Sequence, residues 1–187
     1  MARVGVLALQ GDVREHMDAL GRIGADPVAV KTPESLSGVE ALIIPGGEST
    51  TIGKLATRFD LIDPLRRSLE EGMPALGTCA GLIFLAAAVT EGDQPLLGVL
   101  DVVVQRNAFG RQNESFETPL TVAGLPEPFH GVFIRAPWVE KVGHKVEVLA
   151  TVHEHPVMVR QDRVLAASFH PELTDDDRIH RMLIELI

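Results

Sequence analysis

Residues 77–81, Gly-Thr-Cys-Ala-Gly, hold the only cysteine of the chain, Cys79, between two glycines. This is the G-x-nucleophile-x-G form of a strand-to-helix elbow. Such a turn strains the nucleophile's backbone and draws strand and helix so close that side chains two residues away must nearly vanish. The pentapeptide alone has two readings, because a free cysteine also packs as a small buried hydrophobe. A cysteine nucleophile needs a base, and the base needs an acceptor for its other ring nitrogen. Ser-Phe-His-Pro-Glu at 168–172 offers both. Pro171 pushes His170 towards extended geometry, where side chains two apart face the same way, so His170 and Glu172 can enter one site together. A solvent-exposed turn is the alternative for this segment.

A third element is Pro-Gly-Gly-Glu-Ser-Thr at 45–50. Paired glycines after a strand let backbone amides approach a ligand closely, as an oxyanion hole requires. A phosphate loop fails on spacing. Gly47 to Gly53 encloses five residues where that loop has four, Lys54 is followed by Leu55, and Glu48 would repel phosphate. A metal site is disfavoured too: His153 and His155 could share a strand face, but the neighbouring acid, Glu154, points the other way. No metal or other cofactor is expected.

These three elements must be brought together by the fold. "RVGVLAL" (3–9) reads as a buried strand ended by Gln-Gly-Asp. Asp12 and Glu15 then suggest a capping-box start to a helix with Val13, Met17 and Leu20 on one face. "PVAV" (27–30) reads as an edge strand and "ALIIP" (41–45) as a strand running into Gly46–Gly47, with helix from about Ser49 to Gly72, interrupted near Asp60 and Pro64. "PALGTC" is the next strand, and "AGLIFLAAAV" the helix behind it. The βαβ rhythm predicts a parallel sheet with helices on both faces and its binding site at the carboxyl ends of the strands. Later segments, among them "GVFIRAPWV" and the hairpin "PVMVRQDRVLAASF", predict antiparallel additions. "TDDDRIHRMLIELI" predicts a terminal helix capped by Thr174, with three acids in its first turn.

Length and composition bound the rest. With 187 residues, 45% hydrophobic and 23% charged, the chain suits one domain, 1–187, with its own core. A formal charge of −9 argues against nucleic acid or an anionic membrane as partner. One cysteine requires no oxidising compartment, and the short apolar opening stops at Gln10, so a cytoplasmic location is expected.

With Cys79 and the His170–Glu172 pair in place, the chain resembles the class I glutamine amidotransferases. Within them it closely resembles the family of glutaminase subunits of pyridoxal 5′-phosphate synthase. The resemblance runs nearly end to end, through "GVLALQGDVREH", "LIIPGGESTTIGKL", "GTCAGLIFLA", "RNAFGRQNESFE", "FIRAP" and "SFHPEL". It implies a flavodoxin-like, doubly wound, mostly parallel α/β fold and hydrolysis of L-glutamine to glutamate and ammonia by a Cys79–His170–Glu172 triad. Oxyanion donors would be the amides of Gly47 and Ala80. Substrate contacts would fall to Gly47, Glu48, Ser49, Arg106, Ile134 and Arg135, and charge logic supports part of this: an arginine and Glu48 could complement the carboxylate and ammonium of free glutamine. The partner implied is a barrel-shaped synthase that receives the ammonia within a large hetero-oligomer, with no nucleic acid or membrane involved. The expected contact includes Gln10, Arg14, Glu15 and His16, with Gln10 near the oxyanion loop. The triad by itself also suits a glutaminase serving a different ammonia-using synthase.

Overall fold

The computed structural model describes residues 1–109 and 115–187. Part of the "RNAFGRQNESFE" segment, residues 110–114, therefore lies outside the described residues. A central sheet runs in the order β10-β11-β12-β4-β3-β1-β2. Its parallel part comprises β2 (Asp26–Val30), β1 (Arg3–Leu7), β3 (Ala41–Ile44), β4 (Ala75–Thr78) and β12 (Val164–Ala167). That is the 2-1-3-4-5 order of a flavodoxin-like sheet, whose direction of winding reverses between β1 and β3. The antiparallel strands β11 (His155–Gln161) and β10 (Glu147–Val152) extend the β12 edge. A smaller sheet joins β5 (Ala86–Val89), β6 (Leu100–Gln105) and β9 (Trp138–Val142), and β7 (Ser115–Leu120) pairs with β8 (Phe129–Ile134).

Alternation along the parallel strands divides the core between the two sheet faces. Leu7, Leu42, Ile44, Val164 and Ala166 join one buried cluster, while Val4, Val6, Ile43, Leu165 and Ala167 join the other. A strand with both faces covered has no polar side to show, which is why β3, β12 and β1 from Val4 onward read as unbroken apolar runs. Helices α1 (Val13–Arg22), α2 (Pro33–Leu36), α3 (Ser49–Arg58), α4 (Ile62–Glu70), α5 (Ala80–Leu85) and α6 (Arg178–Ile184) complete the layers. No helix among the described residues is long and apolar enough to cross a membrane.

Several elements differ from the sequence expectations. The helix after Cys79 ends at Leu85, because Ala86 turns extended (φ −61°, ψ 153°) and residues 86–89 pair with β6 instead. "GVFIRAPWV" is two strands in different sheets, broken where Arg135 takes φ 45°. Pro64 does not interrupt a helix but sits in the first turn of α4, where its missing N–H costs nothing. Asp12 makes no capping hydrogen bond to α1. At the C-terminus, the acids 175–177 precede α6 rather than entering its first turn. Thr174 Oγ1 accepts from the Asp176 amide (3.2 Å), and Asp176 is held by Arg178, so this run forms a separate turn.

Candidate active site

Four strand ends converge on one cleft. Gln10 and Asp12 follow β1, Gly47–Ser49 follow β3, Cys79 follows β4 and His170 follows β12; all line a cavity of about 580 Å³. The opening lies at the carboxyl ends of the strands, beside the point where the winding reverses.

The elbow is built by close approach. Cys79 has φ 49° and ψ −102°, a left-handed conformation that a side-chain-bearing residue holds only under constraint from its surroundings. A Cβ on Gly81 would run into the carbonyl oxygen of Ile44, and one on Gly77 would lie 2.7 Å from the Gly81 carbonyl carbon. The two glycines therefore let α5 start directly against β3 and β4. Cys79 is largely buried, and its Sγ lies 4.0 Å from the Ile134 carbonyl oxygen.

His170 and Glu172 enter together, as the alternation argument requires. His170 Nδ1 lies 2.7 Å from Glu172 Oε1, and both residues are 5% exposed, too buried for an exposed turn. Pairing Nδ1 with the carboxylate leaves Nε2 as the free ring nitrogen. Asp12 adds a carboxylate oxygen 3.4 Å from the same Nδ1. Burial works against the imidazolium, but Asp12, Cys79 and Glu172 outweigh it and push the His170 pKa up to about 12. The stabilisation this gives the folded chain is fully present below the ordinary value of 6.5 and is lost as pH rises through the raised one. Burial pushes the Glu172 carboxyl up, and His170 pulls it back. Contact with His170 holds Asp12 below its ordinary range. Asp12 is a site residue that sequence reasoning placed in a helix cap. The available signal was its position beside the "PGG" turn.

The Gly46–Gly47 loop is shaped by its neighbours. A Cβ on Gly46 would lie 2.5 Å from His170 Cε1, and one on Gly47 (φ 150°) would overlap Gln10 Oε1. Gln10 Oε1 accepts from the Glu48 amide at 2.7 Å, so Gln10 does sit against this loop. The amide-bearing residues Gly47 and Ala80 both line the cleft.

The expected substrate contacts are also at the cleft: Glu48, Ser49, Arg106, Ile134 and Arg135 all line it. Their charges are already organised. Glu48 caps α3, its Oε1 accepting from the Thr50 amide (3.0 Å) and its Oε2 from the Thr51 amide (2.8 Å) and hydroxyl (2.7 Å). Arg106 donates to Gln94 Oε1 at 3.0 Å and lies 3.4 Å from Glu48 Oε1. Gln94, which sequence reasoning did not single out, also accepts from Ser49 Oγ at 3.2 Å.

Burial is the largest single influence and raises the Glu48 carboxyl, yet the hydrogen bonds from Thr51 and Thr50 together outweigh it and lower it to about 2. Its contribution to stability is therefore present above the ordinary value of 4.5 and lost as pH falls towards 2. Glu48→Ala should cost about 1 kcal/mol at neutral pH by loss of the cap, and much less at pH 3. Chemical denaturation of both proteins at the two pH values checks this; an equal deficit at both would contradict it.

The four residues expected at a partner surface are placed differently from one another. Arg14 is exposed, Glu15 half-buried, and Gln10 half-buried on the cleft wall. His16 is completely buried, which corrects its assignment to a partner contact. The helical period turns it inward from α1, where it packs against Thr78, Glu172 and His180.

Fold and site together have the form of a cysteine-dependent hydrolase on a doubly wound sheet, with the nucleophile's elbow at a strand end. Residues 6–187 match the model of the SNO glutamine amidotransferase family, and the chain belongs to that family. A protein of Thermus thermophilus named "Pyridoxal 5'-phosphate synthase subunit PdxT" is 60% identical over 98% of this chain and 96% of its own length. A protein of the same name from a Parafrankia species is 58% identical over 99% of this chain and 93% of its own. A crystal structure described as a glutamine amidotransferase superposes with a TM-score of 0.94 at 57% identity, covering 98% of this chain and 97% of that one. A putative GMP synthase component from Thermoplasma acidophilum shares the fold at a TM-score of 0.73 and 18% identity, covering 100% of this chain and 94% of its own.

Proposed function

We propose that this chain hydrolyses L-glutamine to L-glutamate and ammonia and passes the ammonia to a synthase subunit making pyridoxal 5′-phosphate in the cytoplasm. The observation that carries the chemistry is the 2.7 Å contact between His170 Nδ1 and Glu172 Oε1, in the cleft where Cys79 is held on its strained elbow. Cys79 attacks the side-chain amide carbon as the thiolate, its proton having passed to His170, and the carbonyl oxygen becomes a tetrahedral oxyanion. Amides of Gly47 and Ala80 stabilise that charge, each donor contributing roughly 3–4 kcal/mol in comparable sites. His170, held cationic by the carboxylates around it, protonates the leaving nitrogen. The resulting neutral imidazole then takes a proton from water, which attacks the thioester and releases glutamate. Glu172 fixes the ring so that Nε2 serves both steps.

Arg106, Glu48, Ser49, Arg135, Ile134 and Gly47 line the space that the amino-acid end of glutamine would occupy. Binding there competes with the Arg106–Glu48 contact, so each charge gains a substrate partner as it loses a protein one. Delivery of ammonia to a synthase subunit, which we take to be barrel-shaped, is supported as far as the existence of a partner by the relatives' names, each a subunit of pyridoxal 5′-phosphate synthase. The exposed side chains of Ile134 and Leu173 at the cleft mouth give such a partner an apolar footing beside the catalytic residues.

The test is glutamine hydrolysis with and without a purified synthase subunit, followed by transfer of nitrogen from amide-labelled glutamine into the synthase product. Stimulated hydrolysis with labelled product is the expected result. Hydrolysis that no pyridoxal phosphate synthase stimulates, with label only in free ammonia, would overturn the assignment of the partner.

A further inference from the structure

Behind Glu172 lies a buried polar chain that the triad itself does not explain. Glu172 Oε1 is taken by His170, but its second oxygen, Oε2, is buried and has no well-formed hydrogen bond. His16 Nε2 lies 3.4 Å from it. The same nitrogen lies 3.1 Å from Thr78 Oγ1, on the residue directly before Cys79. On its other side His16 Nδ1 lies 2.9 Å from His180 Nε2, which α6 brings in from the far end of the chain. Both histidines are fully buried.

Proton counting decides the tautomers. Burial keeps both rings neutral, holding His16 well below 6.5 and His180 at about 4. One proton must lie between His16 Nδ1 and His180 Nε2. If His16 supplied it, bare His16 Nε2 would face the carboxylate oxygen. The His180 proton would then sit on Nδ1, a buried atom without a partner. If His180 Nε2–H donates instead, His16 carries its proton on Nε2, aimed at Thr78 Oγ1 and Glu172 Oε2. Only an acceptor lone pair on His180 Nδ1 is left unmet. The second arrangement leaves no buried N–H unpaired and gives the carboxylate a donor.

We propose that His16 is a positioning residue for the triad: its Nε2–H, set by His180, holds the second oxygen of Glu172 and the hydroxyl of Thr78. One side chain thereby ties the carboxylate that orients the base to the strand end that carries the nucleophile. This rests on the triad reading above. In the substrate complex, loosening that tie lets Glu172 turn and the His170 ring drift, which slows the chemical step without weakening glutamine binding.

The experiment measures kcat and KM for glutamine in the presence of the synthase, with unfolding temperatures, for His16→Leu, His16→Asn and His16→Gln. His16→Leu should lower kcat by about 10- to 100-fold with KM little changed. The amide nitrogen of a glutamine can stand where Nε2 stands, whereas that of an asparagine reaches only as far as Nδ1. His16→Gln should therefore recover most of kcat, and His16→Asn should not. Should the leucine variant fail to fold, the Gln–Asn pair still decides. Equal kcat in that pair, a defect confined to KM, or losses that follow unfolding temperature alone would overturn the proposal. Cys79→Ala, measured alongside, separates the two levels. If it still hydrolyses glutamine, the triad reading falls. If it is inactive while a folded His16→Leu keeps full kcat, only the role of His16 falls.

Discussion

Cys79→Ala should lower kcat for glutamine by at least about 10⁴-fold, while the unfolding temperature stays within a few degrees of the intact protein. The size follows from the lack of a substitute nucleophile. The sequence offers one thiol; His170, held cationic, has no lone pair on Nε2 with which to attack the amide carbon, and Glu172 is buried behind it at 2.7 Å from Nδ1. The fold tolerates the change because the strain at φ 49° is imposed by β4, β3 and α5 and is the same for alanine as for cysteine. The side chain is small, and its Sγ contact to Ile134 is long, so little packing is lost. Steady-state hydrolysis and a thermal melt on the same preparations check both halves. Substantial activity in a folded Cys79→Ala protein would contradict the mechanism.

Gly81→Ala should be among the most damaging one-carbon additions, costing about 3 kcal/mol and lowering the unfolding temperature by about 5–10 °C. The new methyl would meet the Ile44 carbonyl oxygen, a backbone atom inside the parallel sheet that has no rotamer with which to yield. Relief requires moving α5 off β3, and that also moves the Ala80 amide and Cys79. Activity should therefore fall even below the unfolding temperature. Gly21 provides the control, because it lies in α1 and a Cβ there meets nothing within 4 Å. Gly21→Ala should raise stability by about 0.5–1 kcal/mol, as an open helical site does. Differential scanning calorimetry of the two variants compares a methyl that clashes with one that does not. Similar shifts in both would show that the elbow is not built by close approach.

The parallel sheet was legible because burial on both faces leaves a simple signature: after the exposed Arg3, "VGVL", like "ALII" and "VLAA", has no polar positions to place, so length and the turns after them settle the reading. The elbow was legible for a related reason, since a glycine demanded by a backbone contact cannot be disguised by any other residue. Elements held by partners distant in sequence were not. Residues 86–89 are a small-residue run that suits a helix by propensity, and only pairing with β6 makes them a strand. Asp12 has the local pattern of a cap, but His170, far along the chain, claims its carboxylate. His16 shares the exposed-looking "REH" segment with Arg14, and nothing nearby announces that Thr78, Glu172 and His180 will close around it. In both cases the local sequence is shared by a surface helix and a buried network, and tertiary contacts choose between them.

Thiol labelling tests the central claim most directly, because the chain contains a single cysteine and the count is therefore unambiguous. Timed alkylation with iodoacetamide, read by intact-protein mass and by residual glutamine hydrolysis on the same aliquots, follows Cys79 alone. The expected result is activity lost in proportion to the labelled fraction, reaching zero at one label per chain, with saturating glutamine slowing both together. A chain fully alkylated at Cys79 that still hydrolyses glutamine would contradict the account.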